Sequence, residues 1–313
     1  MKLPAKVSIV EVGPRDGLQN EAKILTSAEK IRLIDALAAA GLNRIEASSF
    51  VSPKWIPQMA DSAELIGALK VPAGCRISAL VPNDKGYDSA KAAGLKEIAL
   101  FMSATESHNK KNINKSTKEA LDTLAELAKR ARADQLFIRC YLSVVFLCPY
   151  EGKTDPLKVE ELVKELFEIG IDELSLGDTI GGATPSDVWR MIERLERSCA
   201  KEKLALHFHD TRGTALANVL AGLEAGITTY DASIGGMGGC PYAPGAAGNL
   251  ATEDLVYMLD GMGIESGVNL EKLLDAGELA QELLGHKLTG RYLQACLASR
   301  AKSLKKKEME ACS

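Results

Sequence analysis

The sequence predicts an α/β fold, a (β/α)8 TIM barrel with a C-terminal helical extension, and three observations predict it. First, four times a helical pattern ends in glycine and runs straight into a short apolar segment. The instances are Ala40-Gly41-Leu42-Asn43-Arg44-Ile45, Ala93-Gly94-Leu95-Lys96-Glu97-Ile98, Ile169-Gly170-Ile171-Asp172-Glu173-Leu174 and Ala225-Gly226-Ile227-Thr228-Thr229-Tyr230. Glycine there can take the left-handed conformation that closes a helix, and a strand entered from such a cap is the joint of a βαβ unit. Second, strand and helix patterns alternate strictly, which implies a parallel sheet. Third, eight units occupy about 255 residues, which matches a closed barrel rather than an open sheet. A doubly wound sheet would want Gly-x-Gly-x-x-Gly after its first strand. This chain has Gly13-Pro14-Arg15-Asp16-Gly17 there.

Taken in order, the expected strands are 7–12, 44–48, 76–81, 97–102, 137–145, 173–176, 204–209 and 229–234. The clearest helices between them are 28–40, 118–132, 157–169, 186–199 and 215–225. The fourth of these carries its own start signal, with Thr184 as N-cap, Pro185 in the first turn and Asp187 three residues on. Beyond the eighth unit, 270–284 and 287–307 read as helices. No low-complexity linker interrupts the chain, so residues 1–313 read as one catalytic domain, with about 265–313 as the extension.

Composition narrows the partners. The 313 residues carry 38 basic and 42 acidic side chains, a net charge of −4, and 5% are aromatic. A nucleic-acid binder would show a basic excess and stacking platforms, so none is expected. The uncharged run 140–150 is too short to span a membrane. Seven cysteines, an odd count without Cys-x-x-Cys spacing, argue against a disulfide scaffold or zinc ribbon and fit a reducing compartment. Neither terminus carries a recognisable address, and a cytoplasmic enzyme assembled as a homodimer is the expectation.

In a barrel the active site lies where strands end and loops begin. The polar residues at those ends are Arg15 and Asp16 after strand one, Glu46 on strand two, Arg139 and Tyr141 on strand five, and Asp178 after strand six. Strand seven ends in His207-Phe208-His209. Two residues apart on a strand, both imidazoles share a face while Phe208 turns to the helices. They are either a hydrogen-bonded barrel pair or two metal ligands. Asp16 is within reach as a hard partner, and mixed nitrogen and oxygen donors suit Mg²⁺ or Mn²⁺ better than a cysteine-rich zinc site. A buried Glu46 carboxylate is costly unless paired, and Arg15 or a metal-bound group would pair it. Thr184 already caps the next helix, which frees Asp178 for a site role. Arg139 and Tyr141 are candidate substrate contacts. Residues 232–252 carry no charge and include six glycines, so they read as a functional loop bearing Cys240 over the site.

Gly13-Pro14-Arg15-Asp16-Gly17-Leu18-Gln19-Asn20, His207-Phe208-His209-Asp210 and Gly238-Gly239-Cys240-Pro241-Tyr242 together resemble the 3-hydroxy-3-methylglutaryl-CoA lyase family of metal-dependent lyase barrels. The likeness runs from about residue 7 to 285. Ser52-Pro53-Lys54-Trp55, Lys110-Lys111-Asn112-Ile113-Asn114, Cys148-Pro149-Tyr150-Glu151-Gly152 and Ser175-Leu176-Gly177-Asp178-Thr179 fit it too. The resemblance implies a divalent cation held by Asp16, His207, His209 and Asn249. It implies that Arg15 stabilises an enolate, that Cys240 takes part in proton transfer, and that Glu46 and Asp178 support the site. The implied reaction is cleavage of HMG-CoA, a CoA thioester, to acetyl-CoA and acetoacetate. The alternatives are a related CoA-ester lyase or condensing barrel acting on another branched acyl group, and a non-catalytic metal- or CoA-binding barrel.

Overall fold

Eight parallel strands close into a barrel in the order β1-β8-β7-β6-β5-β4-β3-β2. They are β1 Ser8–Glu11, β2 Arg44–Ser49, β3 Arg76–Leu80, β4 Glu97–Ser103, β5 Phe137–Ser143, β6 Glu173–Asp178, β7 Leu204–Phe208 and β8 Thr229–Ala232. The structure, a computed structural model, describes residues 3–238 and 248–311, with side chains of the last helix as far as residue 303. The helices are α1 Ser27–Ala39, α2 Ser62–Ala68, α3 Asp84–Ala92, α4 Glu106–Ile113, α5 Thr117–Ala133, α6 Pro156–Glu168, α7 Pro185–Leu195, α8 Ala215–Glu224, α9 Thr252–Gly261, α10 Leu270–Leu284 and α11 Arg291–Ala311. All eight expected strands are present, and α10 and α11 form the expected extension. Among the described residues no helix is long and apolar enough to cross a membrane.

The helix-to-strand joints form as their glycines predict. Gly41, Gly94, Gly170 and Gly226 have φ of 100°, 87°, 96° and 91°. Asp187 accepts from both Thr184 N (3.1 Å) and Thr184 Oγ1 (2.6 Å), so α7 starts at the predicted cap. Helices α2, α3, α4 and α9 were not among the clear sequence patterns; α2 is a seven-residue element without a side-chain cap.

Several boundaries shift by a residue or two, and three of the shifts have a clear local reason. Strand β5 stops at Ser143 rather than 145, because Val144 takes a left-handed φ of 54°. Its N–H donates to Thr179 Oγ1 (2.9 Å), and its carbonyl accepts from Thr154 Oγ1 (2.6 Å). The chain then turns out into a two-stranded hairpin, Leu147–Cys148 with Gly152–Lys153. Helix α7 ends at Leu195, whose carbonyl accepts from Ser198 and Cys199 in a closing turn. Helix α11 starts at Arg291 rather than 287, where Asp254 of α9 accepts from Arg291 N (3.1 Å) and Tyr292 N (2.6 Å).

The apolar core lies between strands and helices, where Ile45, Ile98, Ile138, Leu174, Leu206 and Tyr230 are buried. Inside the ring, where branched apolar layers are usual, one layer is built of charged side chains. Arg44 forms a two-pronged pair with Glu173 (2.9 and 2.8 Å). Arg139 bonds Glu173 (2.7 Å), Asp231 (2.5 Å) and Tyr141 Oη (2.8 Å), and Ser175 donates to Asp231 (2.8 Å). Buried charge survives only when paired and hydrogen-bonded, and every carboxylate of this set is.

Candidate active site

The C-terminal mouth of the barrel opens into a cavity of about 500 Å³. Arg15, Asp16, Tyr141, His207 and His209 line it. Asp16 and Arg15 sit in a π-helical turn, Gly13–Gly17, wound on the Val12 carbonyl, which accepts from Asp16 N (2.7 Å) and Gly17 N (3.3 Å). His207 is the fourth residue of β7, and His209 follows that strand directly. One donor atom from each of Asp16, His207 and His209 lies within 4.8 Å of the others.

Asn249 joins this cluster through the backbone. Leu250 N donates to Phe208 O (3.0 Å) and Asp210 N to Gly248 O (2.8 Å), which sets Asn249 opposite His209 in a bridge. Its Nδ2 donates to Asp16 Oδ2 (2.8 Å) and Met237 O (3.0 Å). Its buried Oδ1 has no hydrogen-bond partner among the described residues, nor has His209 Nδ1. Orphaned buried acceptors beside an ionised carboxylate are what a cation site leaves when its ion is taken away. The donor set fits a divalent cation.

Electrostatics agree. Burial alone would raise the Asp16 carboxyl. The Arg15 guanidinium, both histidines and the Asn249 bond outweigh burial and hold it well below the usual carboxylate range. Burial, with His207 adding to it, pushes His209 down to about 4, so the imidazole is neutral and able to ligate at neutral pH. His207 Nδ1 faces Asp231 Oδ2 at 3.2 Å, which orients the ring. Such an outer carboxylate is the usual companion of a metal-bound histidine. Asp231 was not singled out in the sequence, although it projects inward from β8 in the same alternation that exposes His207.

Arg15 lies between two carboxylates. Its Nη1 bonds Asp16 (2.5 Å) and its Nε bonds Glu46, which also accepts from Tyr141 Oη (2.6 Å). Glu46 is thus paired as its burial demands. Tyr141 reaches the cavity, but Arg139 does not: it is fully buried below, committed to Glu173, Asp231 and Tyr141. The structure gives Arg139 a supporting place rather than a substrate contact. Asp178 also has a backbone task, accepting from Gly182 N (2.8 Å) and Ala183 N (3.0 Å), with burial pushing its carboxyl up to about 6.

Cys240 lies outside the described residues. The stem leading to it is placed: Glu11 accepts from Ile234 N, Gly13 N and Thr252 Oγ1 (2.8, 2.8 and 2.7 Å), tying β1, the Arg15 turn, this stem and α9 together. Gly238 has φ of 95°, and a Cβ there would lie 2.7 Å from Asn249 Nδ2. The stem packs against Asn249 and the Asp16–Gly17 backbone.

The HMGL-like family model matches residues 6–280. The chain belongs to the HMGL-like family. It is 50% identical to the HMG-CoA lyase of Bacillus subtilis, whose crystal structure superposes with a TM-score of 0.93 over 94% of this chain and 99% of that one. It is 48% identical to the 3-hydroxy-3-isohexenylglutaryl-CoA/hydroxymethylglutaryl-CoA lyase of Pseudomonas aeruginosa, across 95% of this chain and 99% of the relative. An Acinetobacter baumannii HMG-CoA lyase, solved in complex with coenzyme A and 3-methylmalate, is 37% identical with a TM-score of 0.89, over 94% and 96% of the two chains. The family assignment makes this HMGL-like protein a carbon–carbon lyase.

Proposed function

We propose that this protein is a hydroxymethylglutaryl-CoA lyase that uses Mg²⁺ or Mn²⁺ to cleave HMG-CoA to acetyl-CoA and acetoacetate, as in leucine degradation or ketone-body formation. The observation that carries the reading is the juxtaposition of Arg15, Asp16, His207 and His209 at one cavity, with Asn249 bonded to Asp16 and its Oδ1 orphaned. Those four residues would hold the cation. When bound, a divalent cation supplies Lewis acidity that makes a tertiary hydroxyl easier to deprotonate.

The bond between C2 and C3 breaks as the hydroxyl proton leaves. C3 becomes the ketone of acetoacetate, and the electron pair passes to C2 as the thioester enolate, which is then protonated to acetyl-CoA. Arg15 is a fixed cation, preoriented by Glu46 and Asp16, and it suits the developing enolate oxygen. Cys240 is the proposed proton carrier. A hydroxyl replacing it transfers protons poorly, so Cys240→Ser is expected to lose most turnover while still binding a substrate analogue.

A second reading, a longer branched acyl group, draws support from the named activity of the Pseudomonas relative and from the apolar cavity wall of Leu80 and Phe101. The test is acetoacetate release from HMG-CoA with and without Mg²⁺ or Mn²⁺, alongside a longer 3-alkyl homologue. Exhaustive chelation should abolish release and added cation should restore it. Full activity after chelation would sink the metal assignment.

A further inference from the structure

One aromatic ring at the cavity touches both the Arg15 turn and the histidine cluster. Arg139 and Tyr141 stand two residues apart on β5, so both side chains point into the barrel. Around the closed ring, β5 is four strands from β1, which leads into the Arg15 turn, and three strands from β2, which carries Glu46. The partners of Tyr141 therefore reach it from across the barrel. Its Oη donates to Glu46 Oε2 (2.6 Å) and accepts from Arg139 Nη1 (2.8 Å). The Arg15 and Arg139 guanidiniums lie over its ring, 5.3 and 4.8 Å from the centroid. The His207 ring meets it edge-on, with 6.1 Å between centroids.

A phenol has one proton to donate, and this one is used on Glu46. Tyr141 lines the cavity, yet it has no proton left for a substrate oxygen. Its hydroxyl does something else: it stands between two opposite buried charges. Glu46 and Arg139 each bond the hydroxyl and take their ion pairs elsewhere, Glu46 with Arg15, and Arg139 with Glu173 and Asp231.

Removing that oxygen leaves Glu46 Oε2 and Arg139 Nη1 buried without their shared partner. Opposite charges in a buried layer attract strongly, and an unpaired one is costly. Glu46 then turns towards Arg139 and loosens its hold on Arg15. Arg15 is left with Asp16 alone, the carboxylate whose other oxygen Asn249 bonds. A guanidinium committed wholly to Asp16 competes with a cation for that carboxylate. It also loses the second anchor that fixes its direction, which is what a preorganised charge needs.

We propose that Tyr141 is a positioning residue rather than a substrate contact: its hydroxyl holds Glu46 off Arg139, and so keeps Arg15 aimed and the Asp16 carboxylate open to the cation. The inference rests on the metal-dependent lyase reading above. Its test measures Mn²⁺ binding to the metal-free enzyme by titration calorimetry, alongside kcat and KM for HMG-CoA at saturating Mn²⁺. Tyr141→Phe, which removes the oxygen and keeps the ring, should weaken Mn²⁺ binding about three- to tenfold, the size of one hydrogen bond. Its kcat should fall about tenfold, with KM within about twofold. Glu46→Gln removes the charge that Arg139 attracts. Adding Tyr141→Phe to Glu46→Gln should therefore weaken Mn²⁺ binding by no more than about a further twofold, whereas general loosening of the floor would multiply the two losses in full. That pair of variants carries no unshielded Glu46 charge, so it decides the question even if Tyr141→Phe alone does not fold. Unchanged Mn²⁺ binding in Tyr141→Phe overturns the inference, and so does a full multiplied loss in the double variant. A raised KM at unchanged kcat makes Tyr141 a substrate contact and overturns it too. Wild type that binds Mn²⁺ but leaves HMG-CoA intact overturns the lyase reading, and the Mn²⁺ titrations then decide the role of Tyr141 by themselves.

Discussion

Arg15 shows at the scale of one residue how a buried charge is kept ready for chemistry. Two carboxylates hold the guanidinium, and the Tyr141 ring lies beneath it at 5.3 Å. Its bonds to Glu46 and Asp16 fix its direction before any substrate arrives, so no reorganisation is needed when charge develops. On the role proposed for it, Arg15→Gln should lower kcat about 10²- to 10³-fold with KM little changed, because the proposed enolate contact would exist only once the carbon–carbon bond is breaking. A rise in KM alone would make Arg15 a substrate anchor instead. Gly238 is a second residue-scale case. Gly238→Ala strains a left-handed backbone and drives a methyl into Asn249 Nδ2. Weaker Mn²⁺ binding by titration, with an unchanged far-UV spectrum, is the expected result.

At the scale of elements, the helix-closing glycines divide into two kinds. Gly41 and Gly94 share a left-handed φ, but their surroundings differ. A Cβ on Gly41 would run into the Gly267 carbonyl oxygen, whereas a Cβ on Gly94 meets nothing within 4 Å. Gly94→Ala should cost about 1–2 kcal/mol, the conformational term alone. Gly41→Ala should cost about 1–3 kcal/mol more, since the chain 267–269 must also move and Asn269 N bonds Ala40 O there (2.7 Å). Urea unfolding midpoints of the two variants check this, and equal losses would mean that the 267–269 segment yields freely. The repeated glycine-to-strand joints were legible because they are local: a left-handed cap depends on one residue and its immediate neighbours. The Val144 bend was not legible, because a valine at φ of 54° is unfavourable by itself and is held by threonines 10 and 35 residues away.

The molecule as a whole carries two buried carboxyls at the base of the glycine-rich stem. Burial pushes Glu11 up to about 7, against hydrogen bonds from Thr252, Ile234 and Gly13. Burial pushes Glu253 up to about 8, with Gly235 N bonding one oxygen and Glu11 adding repulsion. A carboxyl whose folded pKa exceeds its unfolded value, near 4.3, binds its proton more tightly in the fold. Its stabilising contribution is complete below the unfolded pKa and is lost as pH rises through the folded one. Stability should accordingly decline between about pH 5 and pH 9. The decline should be shallower in Glu253→Gln, which has no proton to lose. Urea midpoints measured across that range provide the check, and identical slopes in the two proteins would refute a raised Glu253.

Local sequence by itself determined the eight strand–helix units, the α7 cap and the sharing of one face by His207 and His209. Each follows from short-range geometry: φ preference, a hydrogen bond three residues away, or alternation along a strand. Asp16 as a candidate partner was legible only given the barrel, because β1 and β7 flank β8 in the closed ring. Tertiary structure alone decided what lies beneath. Asp231 orients His207, and Arg139 is drawn down into the ionic layer with Glu173. Those partners stand on neighbouring or distant strands, and a strand's own sequence does not say which inward side chain its neighbour's register will set beside it. Barrel closure sets that register, and a buried charge must then take the partner it finds there.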